Sequence, residues 1–424
     1  MSKLFGILGI IVILFVSYIL SNNRKKISVK TVLRAFILQV LLAVFILKVP
    51  IGIKLFNAIG KFIQKILDFA QAGADFVFGP LTGNPEKFVQ IFGDGAHIFS
   101  LKLLYSIIFM MVLVNILYYY GIMQRVVAIL GKAMNKLLKV SGAEALSNVA
   151  SPFVGQIVAQ IMIKPYLAKL TPSELLASMS GSLACISAGV MAIYVGMGIP
   201  AQYLLAASIM AAPGALVISK IIYPEDGHPE TMENIHISND KDSFNVIDSI
   251  AKGAIEGMKV ALNVIAILLA LVALITMIDW FLNKFGMFLQ SFFHISNILG
   301  ISLDSLSMKS IVGKIFSIFA LLLGVPLQDI SSVGALLGEK LILNETIAYI
   351  DLISLKSIIS EKSFIISSFA LCGFANLGSV AILVGGISEL ACNQRENLSK
   401  LGFKALIAGT FASYISAAIA GILI

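Results

Sequence analysis

Residues 331–354 read SSVGALLGEKLILNETIAYIDLIS, and residues 144–167 read EALSNVASPFVGQIVAQIMIKPYL. Both stretches are largely apolar. The first nevertheless carries Glu339, Lys340, Asn344, Glu345 and Asp351, and the second Ser147, Asn148, Ser151, Pro152, Gly155, Gln156 and Gln160. The chain around them has 424 residues, 58% hydrophobic and 13% charged, with a mean hydropathy of +0.95. A soluble domain averages about 25% charged residues, so too few remain here to coat a water-facing core, and the apolar content excludes disorder. The solvent is a bilayer. A helix facing acyl tails could not tolerate the polar load of either stretch. Each is therefore read as two half-helices that enter the membrane and turn back inside protein.

Ordinary apolar runs surround these interruptions, at roughly 4–20, 33–53, 98–120, 174–198, 201–222, 259–282, 362–387 and 402–424. Each approaches the ~20 residues that a helix needs to cross hydrocarbon. The fold class is an all-α polytopic membrane protein with eight transmembrane helices and two re-entrant hairpins. Of the net charge of +8, much sits in short basic stretches: Arg24, Lys25, Lys26, Lys30 and Arg34; Arg125, Lys132, Lys136 and Lys139; and Arg395, Lys400 and Lys404. All fall on the cytoplasmic side if both termini lie outside, which is a topology signal and not a nucleic-acid footprint. The acidic stretch 224–242 is then a cytoplasmic loop. Residues 55–70 and 124–140 place lysines among Leu, Ile and Val at helical intervals and read as interfacial helices. The first apolar run is read as a retained span, since no small-residue cleavage site follows it.

The two polar stretches occupy corresponding places in two halves. A span at 98–120, an interfacial helix, the hairpin 144–167 and two spans are followed by a span at 259–282, a helix near 309–324, the hairpin 331–354 and two spans. This is an inverted repeat, and in transporters the substrate lies at the repeat interface. The expected division is 1–96, the first repeat 97–222, the acidic loop 223–250 and the second repeat 251–424. In Thr171-Pro172-Ser173-Glu174 the pattern predicts a helix start with Thr171 as N-cap and Glu174 closing a capping box.

Among intramembrane polar residues, Asn344-Glu345 is the strongest functional signal, because an ionised carboxylate at that depth is costly; the alternative is a structural ion pair with Lys340. Gly155-Gln156 falls where the first hairpin must reverse. Gly373-Phe374-Ala375-Asn376-Leu377-Gly378-Ser379 interrupts the 362–387 run and places Asn376 and Ser379 on one face; the matching region of the first half is Cys185-Ile186-Ser187-Ala188-Gly189. Cys185, Cys372 and Cys392 have no paired spacing and are read as buried thiols. The four histidines have no metal-ligand spacing. No enzyme signature is present, whether H-E-x-x-H, G-x-S-x-G or a phosphate-binding glycine loop. No catalytic residue, metal or cofactor is expected.

Three long stretches carry a resemblance to a known family: CGFANLGSVAILVGGISELACNQRENLSKLGFKALIAGTFASYISAAIAGILI, LGVPLQDISSVGALLGEKLILNETIAY, and IKPYLAKLTPSELLASMSGSLACISAGVMAIYVGMGIPAQYLLAASIMAAPGALVISKIIYPE. They resemble the concentrative nucleoside transporter family, in its bacterial branch. The resemblance implies a homotrimer in a bacterial inner membrane, importing a nucleoside by an elevator-like shift coupled to protons or sodium, with the bilayer and its own copies as partners. It implies that Glu345, Asn376 and Ser379 hold the ribose, that Gln156 contacts the base and that Val190 packs against it. It places the coupling ion near Ser151, Val154, Cys185 and Ile186, with Glu345 as the titratable carrier. Two departures stand out. The family's G-Q-[ST]-E is Gly155-Gln156-Ile157-Val158 here, which predicts an altered base preference with Gln160 as a substitute donor. The Asn and hydroxyl of sodium-coupled members are Ser151 and Cys185, which favours protons. The alternatives are a transporter of another ribosyl or polyol solute, or a non-transporting receptor or scaffold.

Overall fold

A computed structural model describes residues 2–82, 98–232, 243–293, 297–298, 301–303 and 306–424. It is almost wholly helical; the only strands among the described residues are Asn297–Ile298 and Ile301–Ser302, paired antiparallel. The leading helices are α1 (Ser2–Ile19), α2 (Val29–Leu47) and α3 (Pro50–Phe78). The first half continues as α4 (Phe99–Tyr119), α5 (Ile122–Leu138), α6 (Gly142–Val154), α7 (Gln156–Ile161), α8 (Lys164–Leu167), α9 (Pro172–Ala184), α10 (Ala188–Met197) and α11 (Ala201–Ile222). The second is α12 (Val246–Phe293), α13 (Met308–Leu322), α14 (Ile330–Ile342), α15 (Glu345–Ser354), α16 (Glu361–Leu371), α17 (Leu377–Leu390) and α18 (Arg395–Leu423). Long helix, amphipathic helix, hairpin, broken span and long helix thus recur in order.

Both hairpins reverse. Ser151 on α6 and Gln160 on α7 each hydrogen-bond the Ser182 hydroxyl, at 2.9 and 3.0 Å. In a straight helix these positions would lie about 14 Å apart, so the chain has doubled back around Gly155, whose φ is +88°. The second hairpin repeats the construction. Lys309 on α13 pairs with Glu339 of α14 at 3.0 Å and with Asp351 of α15, positions that a straight rod would separate by about 18 Å. Helix starts follow from their caps. Ser141 with Glu144 and Thr171 with Glu174 form complete capping boxes, the latter as the sequence predicts.

Among the described residues, seven helical stretches are long and apolar enough to cross a membrane, Pro172–Met197 being counted across its break, and the sequence reading needs three corrections. The run 174–198 is not continuous: it breaks at Cys185–Ser187 into α9 and α10. The run 362–387 likewise splits into α16 and α17 around Cys372–Asn376. The span expected at 259–282 is the middle of a 48-residue helix whose spanning window is Val272–Phe292. Periodicity alone could not separate the amphipathic first part of α12 from its lipid-facing second part. The interfacial reading of 124–140 corresponds to α5, which buries Met123, Val127, Gly131, Met134 and Leu138 along one face. The reading of 55–70 captures only the middle of α3. The acidic loop begins as a docked segment: the Thr231 carbonyl accepts the Gly142 amide at 2.7 Å and its hydroxyl accepts the Ala143 amide at 3.0 Å. Residues 233–242 of that loop lie outside the described residues, as do His97, His236 and His294.

The broken spans meet at their breaks. The Phe374 amide donates to the Cys185 carbonyl at 3.3 Å, and a side chain on Gly373 would sit 2.9 Å from the Ala184 carbonyl. One hydroxyl, that of Ser413 on α18, lies 3.3 Å from both the Ala184 and the Cys372 carbonyls. Carbonyls at an interrupted helix end have no intrahelical partner, so this serine serves both halves. Outside this centre, α4 packs along α12. The sequence Gly253-Ala-Ile-Glu-Gly257 is a G-x-x-x-G motif that lets two backbones approach closely. A Cβ on Gly253 or Gly257 would fall 2.7 Å from the Cα of Val112 or Ile108. Gly257→Leu is therefore expected to force α4 and α12 apart at a cost of about 1–3 kcal/mol, seen as a lowered thermal midpoint in detergent, whereas Gly385→Ala, which meets no neighbouring atom, leaves the midpoint in place.

Candidate functional site

Glu345 is the first residue of α15, and Asn344 caps that helix by accepting the Ile347 amide at 3.1 Å. An anion at a helix N-terminus is favoured by the unpaired amides there. The carboxylate is buried and held from both halves of the molecule. The Tyr194 hydroxyl on α10 donates to Oε1 at 3.0 Å, and the Asn376 amide donates to Oε2 at 3.0 Å. Tyr194 also meets the Thr346 hydroxyl at 3.0 Å. A carboxylate offers about four lone-pair directions. Two are used, which leaves capacity for two more donors, the number that a vicinal diol brings.

Asn376 caps α17 by accepting the Ser379 amide through Oδ1 at 2.8 Å, so one side chain fixes a helix start and orients the acid. The Ser379 hydroxyl has no partner among the described residues. On the opposite side, Gly155 abuts Ser187, 3.3 Å from where its Cβ would be. Ser187 caps α10 by accepting the Val190 amide at 3.4 Å. Gln156, the first residue of α7, is thereby set beside the first turn of α10, where Val190 lies half-buried and one turn before Tyr194. The Gln156 Oε1 atom is buried without a partner. Of the residues singled out in the sequence, Glu345, Asn376 and Ser379 are thus joined by hydrogen bonds, while Gln156 follows the glycine that abuts Ser187 and Val190 donates its amide to that same serine.

The other expected residues are arranged differently. Ser151 sits in a closed buried network: its hydroxyl meets Ser182, Ser182 accepts the Gln160 amide, and the Gln160 carbonyl accepts the Ser178 hydroxyl at 2.8 Å. Both ends of Gln160 are engaged and it is fully buried, so it is not the substitute base donor expected from sequence. Cys185 packs with Ala184, Ala211, Ala215 and Ala412 and donates to the Gly181 carbonyl at 3.3 Å. Its thiol faces an apolar pocket while Ser151 faces Ser182. Ile186 is buried; Val154 lines the large cavity. Lys340 donates to the Ala370 carbonyl at 2.8 Å and forms no ion pair with Glu345. Cys392 is exposed, contrary to the buried-thiol reading, because it opens a surface turn ahead of α18.

A cavity of about 660 Å³ runs between hairpin 1 with α10 and the paired helices α4 and α12, with Val154, Val158, Ser187, Asn115, Tyr118 and Glu256 among its lining. Tyr194, Thr346 and Ser182 were not singled out from sequence; a tyrosine or serine inside an apolar run gives no signal until its partner is known. The pair Glu144–Lys220 was also missed. At 2.6 Å and nearly fully buried, it ties hairpin 1 to the end of α11.

Two re-entrant hairpins at the junction of two repeats, with a buried carboxylate held by donors from both, define a membrane transporter. Family models described as "Na+ dependent nucleoside transporter C-terminus", its N-terminal counterpart and "Nucleoside recognition" gate match residues 203–421, 8–81 and 100–201. The chain is 39% identical to an uncharacterized transporter of Haemophilus influenzae, over 100% of this chain and 98% of that protein. It is 36% identical to the nucleoside permease NupC of Helicobacter pylori, again over 100% and 98%. Among solved structures it is similar to CNTnw in an inward-facing substrate-bound state (39% identity, TM-score 0.90, 100% and 98% coverage) and to a doubly substituted CNTnw in an outward-facing state (38%, 0.93, 100% and 99%). The chain belongs to the concentrative nucleoside transporter family, a family of membrane transporters and not of enzymes.

The local chemistry makes a direct test. Tyr194→Phe keeps the ring, which packs 4.4 Å from that of Tyr349, but strips Glu345 of one donor. The expected loss is about 1–3 kcal/mol of stability, read as a lower thermal midpoint with unchanged helix content.

Proposed function

We propose that this protein is a proton-coupled nucleoside symporter of a bacterial inner membrane, working as a homotrimer by an elevator-type shift. The observation that carries the reading is Glu345, a buried carboxylate with two donors from two repeats and room for two more. Glu345, Asn376 and Ser379 take the ribose hydroxyls; Gln156 meets the base through its unpartnered amide oxygen; Val190 covers the base's face. Charged acceptors make the stronger hydrogen bonds, so the sugar end supplies most of the affinity. Immediately after Gln156 in the first hairpin, the Ile157 side chain lies 2.5 Å from where a Cβ of Gly386 would be, and Val158 lines the cavity. The base end is therefore mostly apolar and discriminates less sharply between bases than a polar pocket.

The 660 Å³ cavity supports the elevator reading. It opens between hairpin 1 and the α4–α12 pair, locked by its glycine seam, although α10 also packs directly on α4; the hairpins and broken spans are knit to one another by the contacts around Ser413 and Ser182. The division into 1–96, 97–222, 223–250 and 251–424 follows the two repeats and cuts across that separation, since each repeat contributes one helix to the α4–α12 pair. Proton coupling is supported by the state of the Ser151 region. A hard cation needs several free oxygens. Here the side-chain oxygens of Ser151, Ser182, Ser178 and Gln160 satisfy one another, and the thiol of Cys185 points elsewhere. This reading stands against the sodium dependence in the description of the matching family model.

In proteoliposomes, an acid-outside pH gradient is expected to drive accumulation of labelled uridine or adenosine with choline in place of sodium; uptake that requires sodium and ignores pH rejects the proton reading. Free ribose and polyols are expected not to compete with nucleoside, and competition by them selects the other-solute reading. Glu345→Gln should weaken nucleoside binding by about tenfold or more, the worth of a charged hydrogen bond, without unfolding the protein. A thermal-shift titration measures it.

A further inference from the structure

If a proton is the coupling ion, it needs a carboxyl group to ride on, and Glu345 is poorly placed to be that group. Both its oxygens already accept donors, from Tyr194 and Asn376, and its remaining capacity is assigned to the sugar hydroxyls. A different carboxylate is not so provided. Glu339 on α14 is nine-tenths buried, its Oε1 lies 3.0 Å from the Lys309 ammonium, and its Oε2 is buried with no hydrogen-bond partner. Asp351 on α15 binds the same ammonium. Two carboxylates thus converge on one cation, an arrangement in which one acid readily keeps a proton.

Both groups face a cavity of about 170 Å³ where hairpin 2 leans on α12 and α13. Its charged lining comprises Asp279 from α12, Lys309 from α13, Glu339 from α14 and Asp351 from α15. Asp279 is occupied, accepting the Met308 amide at 2.7 Å. The other elements packed against α14, namely α16 and the turn Leu327–Asp329, add no charged group to that lining; Asp329 is held by Ser360 and Ser363. Ile342, Leu343 and Ile347, at the tip of the hairpin, complete the wall and flank Asn344-Glu345.

We propose that Glu339, sharing Lys309 with Asp351, is the proton-accepting group of the transport cycle, a second ionisable site distinct from the nucleoside pocket. The inference rests on the proton-symport reading above. With Glu339 ionised, Lys309 clamps both half-helices of hairpin 2 to α13. When a proton binds to the free Oε2, the ion pair with α14 is lost while Lys309 stays on Asp351. The first half-helix of the hairpin is released, and its tip carries that change to Glu345. The proton is the only particle transferred, and it leaves from the same oxygen on the other side.

The test uses the full-length protein in proteoliposomes with an internal pH dye. The wild type should show uridine-dependent acidification and several-fold accumulation under an acid-outside gradient. Glu339→Gln should lose both, bringing accumulation to equilibrium level, while still exchanging labelled for unlabelled uridine in counterflow and binding uridine within about threefold of the wild type. If Glu339→Gln accumulates uridine and acidifies the lumen like the wild type, this inference is overturned and proton symport stands. If the wild type itself draws no protons, the symport reading falls and takes the inference with it. Should Glu339→Gln not fold, Glu339→Asp decides: its carboxyl, drawn back from Lys309, should move the half-maximal pH of uptake, and an unmoved profile overturns the proposal.

Discussion

A carboxylate buried in a bilayer protein must be surrounded by donors, and the architecture of this transporter follows from that requirement at Glu345. Its donors arrive from two different halves of the chain: Tyr194 lies on a helix that begins at one break, and Asn376 is the residue that ends another. Neither reaches the acid unless the spans are interrupted and crossed. The breaks, their caps and the close approach of Gly373 to Ala184 are the geometric conditions for one anion to be solvated without water.

The same logic distinguishes two kinds of packing in the molecule. The centre is knit by short polar contacts, each with its counterpart in the other repeat: Ser187 caps α10 as Asn376 caps α17, and Ser182 gathers the two arms of hairpin 1 as Lys309 gathers those of hairpin 2. The α4–α12 pair is joined instead by glycines and van der Waals contact, with a large cavity between it and the centre. The symmetry is imperfect where chemistry differs. Hairpin 1 is gathered by neutral hydroxyls and an amide; hairpin 2 is gathered by charge.

Much of this was legible in the sequence because hydrocarbon tolerates few polar residues without a reason. The two hairpins, the inverted order of the halves and the residues around Glu345 announced themselves as exceptions to an apolar background. What the sequence did not disclose depends on partners distant along the chain. Tyr194 is unremarked within AIYVG until Glu345 is set against it, and Gln160 looked available until Ser178 and Ser182 were seen to occupy both ends of its amide. The breaks at Cys185 and Cys372 were muted because small residues suit tight packing as well as interruption. The 48-residue length of α12 was hidden because its first part carries charges that a hydropathy window reads as loop.

Ser413 makes the two halves unequal partners. Its hydroxyl sits on the last helix, yet the carbonyls that it approaches belong to the broken spans of both halves. Without the second half, the first would leave the Ala184 carbonyl short of this donor, whereas the second would keep Ser413 beside its own Cys372. The dependence at this crossing thus runs in one direction, from the early half of the chain upon the late one.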